Sequence, residues 1–247
     1  MTDNKYGFCG FNGGIGDQIT VSSFPENFFR NTGQKIIDVT NCWIFDFNPF
    51  VKRNEKPDLI LNHLQRQIEI INSGQRIDHK SDAQEICHNF NLKKCFLRSP
   101  RLYKYEDSKT EKDLVVVHTT GRTVGYINEK IIQQIQDNYS DYKIIQIGSS
   151  RDKQTDFEKA FDLSKWETAE IISRAAIYIG VNSGFYHVAN CYPKVRKKII
   201  AQEINESALQ TFEPKKNSLG TEWYDFNIEI FNAFDYDIGS TKSYLTI

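Results

Sequence analysis

Short apolar runs, each followed by a small-residue loop, recur along this chain, and this repetition limits the fold more than any other feature. The run Leu114–Val117 is unbroken, as is typical of a strand that is buried on both faces of a parallel sheet. The apolar run Ile177–Val181 leads in the same way into the loop Asn182–Gly184. A strand, a loop, a helix and a second strand in succession form a βαβ unit, which requires parallel strands. The chain is therefore predicted to belong to the α/β class.

The first half begins with such a unit. The apolar run Tyr6–Phe11 predicts a strand, and the amphipathic pattern from Asp17 to Arg30 predicts a helix that Gly33 ends. A second strand is predicted at Lys35–Val39. The later predicted elements of this half are a strand and a capped helix, at Pro57–Leu61 and Ser81–Asn91.

The second half restarts the alternation after a charged stretch without an apolar period, Tyr105–Asp113, which we interpret as the linker between two domains. Ser164 and Glu167 have the spacing of a capping box at the start of a helix. The further predicted strands are Tyr142–Ile147 and Lys197–Ala201, and the predicted helices are Asn128–Tyr139, Lys165–Ala175, Phe185–Cys191 and Thr221–Ala233. The predicted domains are residues 1–110 and 111–247.

The composition excludes several classes of function. The chain has 247 residues and a formal net charge of −1, so it lacks the basic excess that is typical of nucleic-acid binding. No apolar run approaches the roughly 20 residues that span a bilayer, and the first residues lack an apolar signal core. The five cysteines are odd in number and show no CxxC spacing, which disfavours a disulfide framework or a zinc site. We expect a cytoplasmic protein with neither a transmembrane segment nor a bound metal.

Three loops of small residues follow predicted strands and precede predicted helices: Asn12–Gly16, Gly148–Ser150 and Asn182–Gly184. Ligands bind at the carboxyl ends of the strands in an open parallel sheet. Glycine lets a backbone approach a ligand closely, and the start of a helix favours anions. Each loop therefore suits a phosphate, although small residues at such a turn also serve chain geometry alone. The first loop has neither GxGxxG nor GxxxxGK[ST] spacing, which excludes a P-loop NTPase and disfavours NAD.

Two segments resemble a known family. They are Gly13–Ile19 after the first strand and Ile171–Ala189 in the second half. Together they are similar to the heptosyltransferase-type glycosyltransferases (glycosyltransferase family 9), a GT-B family that builds the inner part of lipopolysaccharide and related surface glycans. The resemblance implies two Rossmann-like domains facing a cleft, an N-terminal acceptor domain and a C-terminal nucleotide-sugar donor domain with a C-terminal helix. Two features depart from the family: the chain is short, and Asn182 stands where the family has aspartate.

The resemblance also implies roles for particular residues. Asp17 takes the position of the family's catalytic base, and His187 faces the diphosphate as the second catalytic candidate. The remaining donor-binding candidates are Gly14, Gly16, Thr119, Thr120, Arg122, Gly148, Ser149, Asn182, Ser183, Gly184 and Phe185. Structural roles without a ligand are the alternatives. Asp17 is also suited to the first turn of a helix, and His187 can serve packing alone.

These observations predict an inverting, metal-independent glycosyltransferase that needs no cofactor. Its donor is a nucleotide-diphosphate sugar, ADP-heptose-like or another. Its acceptor is a glycan or lipid-linked glycan, such as a precursor of lipopolysaccharide, capsule or O-antigen, which is compatible with a place at the inner face of the membrane. The triplet Asp235–Asp237 is interpreted as a solvated turn rather than a metal site. The alternatives are a sugar-nucleotide epimerase or hydrolase on the same scaffold, and a non-catalytic nucleotide-sugar-binding protein.

Overall fold

The computed structural model describes residues 4–10, 13–73, 82–97, 99–121, 125–202, 228–232 and 242–243. These residues belong to two compact units. Among them the first unit ends at Lys104, and the second begins at Tyr105. The assignment of domains to residues 1–110 and 111–247 stays a prediction.

The first unit is an α/β layer structure. Its described strands are β1 Tyr6–Cys9, β2 Ile36–Asp38, β3 Val51–Lys52 and β4 Leu59–Asn62, and its described helices are α1 Ile15–Thr20, α2 Phe24–Thr32, α3 His63–Asn72 and α4 Asp82–Asn89. The strands form one sheet in the order β3-β2-β1-β4, and every pair is parallel. The predicted strands and the βαβ start are therefore confirmed, whereas α3 and the short β3 carry no clear sequence signal.

The helix predicted from Asp17 to Arg30 is interrupted between α1 and α2. Pro25 lies in the first turn of α2, where its missing amide hydrogen has no helical partner to lose. In one continuous helix, the ring of Pro25 would clash with the carbonyl of Val21, four residues earlier. The chain therefore ends α1 at Thr20 and begins a new helix. Gly33 ends α2 as predicted, with a left-handed φ of 75°.

Aromatic rings fill the core of the first unit. Phe8 on β1 stacks on Phe24 of α2, with ring centroids 4.4 Å apart. Phe45 and Phe90 each meet the Phe8 ring edge-on at 6.2 Å. Such edge-to-face and offset contacts stabilise a core beyond the burial of area alone. β1 is thus held by α2 and by the residue that follows α4.

Two polar residues of α2 are buried and hold the last segment of the first unit. Asn27 accepts from the amides of Phe96 and Leu97 at 2.7 and 2.9 Å. Glu26 is 2% exposed and accepts from Arg101 Nη1 at 3.0 Å and from the Tyr103 hydroxyl at 2.5 Å. A buried carboxylate without such partners would be strongly destabilising. The segment after residue 95 is therefore fixed to the buried side of α2.

The second unit holds the larger sheet. Its described strands are β5 Leu114–His118, β6 Thr120–Gly121, β7 Gly125–Tyr126, β8 Lys143–Gly148, β9 Glu158–Phe161, β10 Ile177–Gly180, β11 Lys197–Gln202, β12 Ile228–Asn232 and β13 Lys242–Ser243. Its described helices are α5 Glu129–Asn138, α6 Lys165–Arg174 and α7 Gly184–Asn190. The sheet order is β13-β12-β11-β10-β5-β8-β9, with only β13 antiparallel to its neighbour, while β6 and β7 form a separate hairpin. The predicted α/β class is confirmed in both units.

The order of strands reverses beside β5. The chain leaves β5 toward β8 and β9 on one side, then crosses to place β10, β11 and β12 on the other. Ligands of open α/β sheets bind at such a switch point, outside the carboxyl ends of the strands. The core below it is aliphatic and includes Val115, Val117, Ile131, Ile179 and Ile199.

The helix predicted at Thr221–Ala233 is wrong over residues 228–232. These residues form β12, which pairs in parallel with β11 from Lys198–Ile228 to Gln202–Asn232. Isoleucines at 228 and 230 favour a strand, and ladder pairing with β11 outweighs the weak helical pattern. The rest of that prediction, with Asp235–Asp237, lies outside the described residues. Within the described part of the chain, no helix has the length and apolar character needed to cross a membrane.

The capping box at α6 gives a stability prediction. The Ser164 hydroxyl accepts from the Glu167 amide at 3.2 Å, and the Glu167 carboxylate accepts from the Ser164 amide at 2.9 Å. Ser164→Ala is expected to lower the free energy of unfolding by about 1 kcal/mol, because the amide of Glu167 loses its acceptor. Urea denaturation measures the change. Ser140→Ala, at an exposed serine in the turn after α5, is the control, and equal losses in both variants would contradict the role of the cap.

Candidate functional site

Two of the three predicted loops meet at the carboxyl edge of the second unit's sheet. Gly180 at the end of β10 is in register with His118 at the end of β5. His118 is in register with Ile147, one residue before Gly148 at the end of β8. The loops Gly148–Ser150 and Asn182–Gly184 therefore flank the end of β5 from its two sides. The third loop follows β1 in the first unit and lies at the carboxyl end of that unit's own sheet.

His118 connects the two loops of the second unit. Its imidazole is buried, with Nδ1 2.9 Å from Ser183 Oγ and Nε2 3.6 Å from Asp152 Oδ2. The ring of Phe185 meets the imidazole edge-on, with centroids 4.9 Å apart. Neither His118 nor Asp152 is among the site residues predicted from the sequence. A histidine at the end of a buried strand, beside two small-residue loops, was the available signal.

The loop after β8 is shaped around Asp152. Gly148 has a φ of +126°, and a Cβ there would overlap the Asp152 carboxylate and lie 3.1 Å from the His118 ring. The Ser149 amide donates to Asp152 Oδ2 at 2.9 Å. Burial opposes ionisation of Asp152, but the contacts with His118 and the Ser149 amide outweigh it and hold the pKa of that carboxyl below its ordinary value. Asp152 is therefore an ionised acceptor at neutral pH.

A second carboxylate supports the same loop. Asp162, with a left-handed φ of 55°, accepts from the Ser150 amide at 3.3 Å and donates its own amide to the carbonyl of Gly148. Hydrogen bonds from the side chain and backbone of Ser150 hold the pKa of Asp162 below its ordinary value. The loop between β8 and β9 thus returns to the site with its acidic groups charged.

The two threonines after β5, Thr119 and Thr120, differ in burial and in their hydrogen bonds. Thr119 is fully buried, and its hydroxyl donates to the carbonyl of Lys153 at 2.7 Å while accepting from Gln146 Nε2 at 3.0 Å. Thr120 is half-buried and accepts from the amide of Lys153 at 2.9 Å. In this conformation both hydroxyls tie the β8–β9 loop to β5. Their predicted contact with the donor stays a prediction, and Arg122 lies outside the described residues.

The residues after β10 remain partly accessible. Asn182, Ser183, Gly184 and Phe185 are half-buried. His187 is also half-buried, and desolvation lowers the pKa of its imidazole to about 4. At neutral pH His187 is therefore uncharged, so it would contact a phosphate by hydrogen bonding rather than as a cation.

In the first unit, Asp17 is exposed in the first turn of α1. Its Oδ2 accepts from the Gly14 amide at 2.9 Å. A Cβ on Gly13 would overlap this carboxylate, which explains a glycine there. Gly14 is exposed before the helix, and Gly16 is half-buried inside it. Asp17 thus supports the start of the helix and still presents a carboxylate to solvent.

A charged cluster lies at the carboxyl end of β2. The Asp38 side chain is fully buried and accepts from the amides of Thr40 and Cys42 at 2.9 and 2.8 Å. Arg53 Nη2 lies 3.1 Å from Asp38 and 2.9 Å from Asp46. This cluster has no sequence signal, because its members lie up to 15 residues apart in a stretch without a clear period. In the described part of the chain, no group of three or more His, Cys, Asp or Glu side chains could hold a metal ion.

No protein-family model matches this chain, and no curated protein matches it in sequence. Several solved structures match its fold. A family 9 glycosyltransferase from Veillonella parvula aligns over 98% of this chain and 93% of its own, with 13% identity and a TM-score of 0.66. ADP-heptose LPS heptosyltransferase II of E. coli aligns over 92% of this chain and 90% of its own, with 10% identity and a TM-score of 0.58. E. coli heptosyltransferase WaaC, solved with ADP, aligns over 79% and 86%, with 12% identity and a TM-score of 0.57.

These likenesses concern the fold, which is that of GT-B-type glycosyltransferases. The fold expected from Gly13–Ile19 and Ile171–Ala189 is therefore confirmed. The roles assigned to individual residues stay predictions.

The close approach of Gly148 to Asp152 can be tested by substitution. Gly148→Ala is expected to lower the free energy of unfolding by about 1–3 kcal/mol, because its φ belongs to a region essentially restricted to glycine and the new methyl group displaces Asp152. Urea denaturation measures the loss. Gly125→Ala is the matched control, since Gly125 has a φ of +87° with nothing within 4 Å of its Cβ position. A loss no larger than that of the control would show that the approach to Asp152 costs nothing.

Proposed function

We propose that this chain is a glycosyltransferase that moves a sugar from a nucleotide-diphosphate donor to a glycan acceptor. One observation carries the proposal: Asp152 and Ser183 lie on either side of His118, and the Ser149 amide holds Asp152, at the switch point of a sheet with the GT-B fold. A site of this kind in an open α/β sheet is where ligands bind. Hydroxyls and backbone amides at such an edge suit the oxygens of a diphosphate.

An ADP-sugar is the first donor to consider. The heptosyltransferase TibC, whose structure was solved in complex with ADP-D-β-D-heptose, aligns with 92% of this chain and 63% of its own, with 13% identity and a TM-score of 0.62. TibC is described as iron-containing. For this chain we propose transfer without a metal or another cofactor, because amides, hydroxyls and Arg122 can stabilise a leaving diphosphate instead.

The chemistry we assign is an inverting transfer. Asp17 takes the proton from the acceptor hydroxyl, while Ser183, Gly184 and Phe185 hold the departing diphosphate. His187 contributes a neutral imidazole. Asn182 keeps the hydrogen-bonding shape of the aspartate that the resembled family has at this position and loses its charge, so we expect the donor sugar to differ from that of the family.

The acceptor we propose is a surface-glycan precursor of the lipopolysaccharide, capsule or O-antigen type, free or lipid-linked. A protein acting on it would work in the cytoplasm or at the inner face of the membrane. A non-catalytic nucleotide-sugar-binding protein is the second candidate, and Asn182 is the observation that favours it.

Thermal unfolding with ADP, GDP, UDP, CMP and NAD tests the donor class. A ligand at 100 times its dissociation constant stabilises a protein by about 2.7 kcal/mol, which shifts the midpoint visibly. We expect a selective rise with one nucleoside diphosphate. A rise with NAD alone would contradict the proposal and indicate an oxidoreductase, and no rise with any compound would contradict a nucleotide-sugar site altogether.

Asp17→Asn tests the catalytic base. Asparagine keeps an oxygen that accepts from the Gly14 amide, so the start of α1 is retained while the base is lost. We expect kcat to fall by about 10²- to 10⁴-fold with the donor affinity unchanged. Sugar transfer to acceptor is measured in parallel with Asp141→Asn, a control at an exposed aspartate of the second unit. Full activity of Asp17→Asn would show that another group takes the proton.

A further inference from the structure

His118 stands between a group that only accepts hydrogen bonds and a group that both donates and accepts. Ionised Asp152 offers only lone pairs to Nε2, 3.6 Å away. The Ser183 hydroxyl lies 2.9 Å from Nδ1 and can take either role. In serine hydrolases, serine bonds Nε2 and aspartate bonds Nδ1. The opposite arrangement here leads us to consider ligand binding rather than nucleophilic attack by Ser183.

In the neutral form of His118, the negative charge of Asp152, 3.6 Å from Nε2, favours the ring hydrogen on that nitrogen. Nδ1 is then unprotonated and accepts the Ser183 hydroxyl hydrogen. The Ser183 oxygen then presents only lone pairs to the edge of the sheet. A diphosphate also presents only lone pairs, so in this form the Ser183 side chain cannot donate a hydrogen bond to it.

The protonated form reverses the bond to Ser183. With hydrogens on both ring nitrogens, His118 forms an ion pair with Asp152 and donates a hydrogen bond to Ser183 Oγ. The Ser183 hydroxyl hydrogen is then released to donate to a phosphate oxygen. The imidazolium would also lie between one carboxylate and the charge of the bound diphosphate, and both favour the cation.

The charged groups around His118 are consistent with proton uptake by its ring. On the β8–β9 side, Asp162 and Asp152 are close enough to repel each other, Arg151 acts on Asp162, and Lys153 pairs with Glu129 at 3.0 Å. Asp152 is therefore the carboxylate nearest to the His118 ring, and no lysine or arginine pairs with it among the described contacts.

The groups on the other side are uncharged at neutral pH. On β10, Tyr178 is fully buried beside Ser183, and burial raises the pKa of its phenol. On α7, burial likewise raises the pKa of Tyr186 and lowers that of His187 to about 4. The Tyr178 hydroxyl lies beside the Ser183 hydroxyl and is a second, neutral partner for it. A proton taken up on this side of the site therefore goes to His118.

We propose that His118 takes up one proton from solvent when a nucleoside diphosphate binds, and that Ser183 thereby changes from a hydrogen-bond acceptor to a donor toward the phosphate. His118 is then a positioning residue that couples donor binding to pH. The inference rests on the proposed nucleotide-sugar site. Imidazole is the side chain whose charge ordinarily changes between about pH 5 and 8, so the coupling is tested around that range.

Isothermal titration calorimetry measures this coupling directly. ADP, GDP and UDP are each titrated between pH 6 and 8.5, in buffers of different ionisation enthalpy, so that the heat reports the number of protons exchanged. For the nucleotide that binds, we expect uptake that approaches one proton at the alkaline end. The association constant should then fall by up to about tenfold per pH unit, which is the limit for one linked proton.

Two variants identify His118 as the group. In His118→Asn the amide nitrogen takes the place of Nδ1 and donates to Ser183 at every pH, so we expect binding that persists and no longer depends on pH. Asp152→Asn keeps an oxygen for the Ser149 amide but removes the charge beside the imidazolium. We expect its affinity to begin falling at a pH lower by about one unit or more. His88→Asn, at an exposed histidine of the first unit, is the control and should behave as the wild type.

The outcomes distinguish a failure of this inference from a failure of the proposed function. Binding without proton uptake, or uptake that survives in His118→Asn, overturns the inference and leaves the proposed function standing. No binding of any nucleoside diphosphate at any pH overturns the proposed function and the inference with it. Circular dichroism confirms that each variant is folded, and Asp152→Asn decides the matter if His118→Asn is not.

Discussion

The placement of β5 between two oppositely running series of crossovers is the constraint on which the second unit depends. All five residues of β5 are buried, because strands and helices cover it on every side. At a reversal of strand order the loops diverge beyond the carboxyl end of the strand, where His118 lies. Loops from β8 and from β10 reach that opening from opposite directions, so residues 65 positions apart come within hydrogen-bond distance.

A buried amide keeps this arrangement rigid. Gln146 on β8 is fully buried, and its amide nitrogen donates to Thr119 Oγ1 and to the Lys153 carbonyl. Its oxygen accepts from the amide and hydroxyl of Thr155 at 3.1 and 2.7 Å. Because the amide group has a partner at each end, the β8–β9 loop is held in one position. Asp152 is thereby presented to His118 without reorganisation, as a site for a charged ligand requires.

In the first unit, ion pairs rather than a buried amide fix the end of the sheet. Asp38 and Arg53 fix the segment after β2, and Gln18 of α1 reaches that segment by accepting from the Trp43 indole at 2.7 Å. The helix that carries Asp17 is therefore tied to the end of the neighbouring strand. Pairing of these charges compensates for the cost of burying the Asp38 carboxylate. The two units thus each build a rigid edge from polar groups that a hydrophobic pattern does not reveal.

The sequence by itself determined the α/β class, the buried parallel strands and the capping box at Ser164, because apolar runs, loops and caps are local signals. It also identified Ser183 and Ser149 as residues at the ends of strands. Only the tertiary structure decided that β12 is a strand and that His118 lies between Ser183 and Asp152. The physical reason is that these outcomes depend on which strands become neighbours, and the energy of that pairing is shared between segments that are distant in the chain.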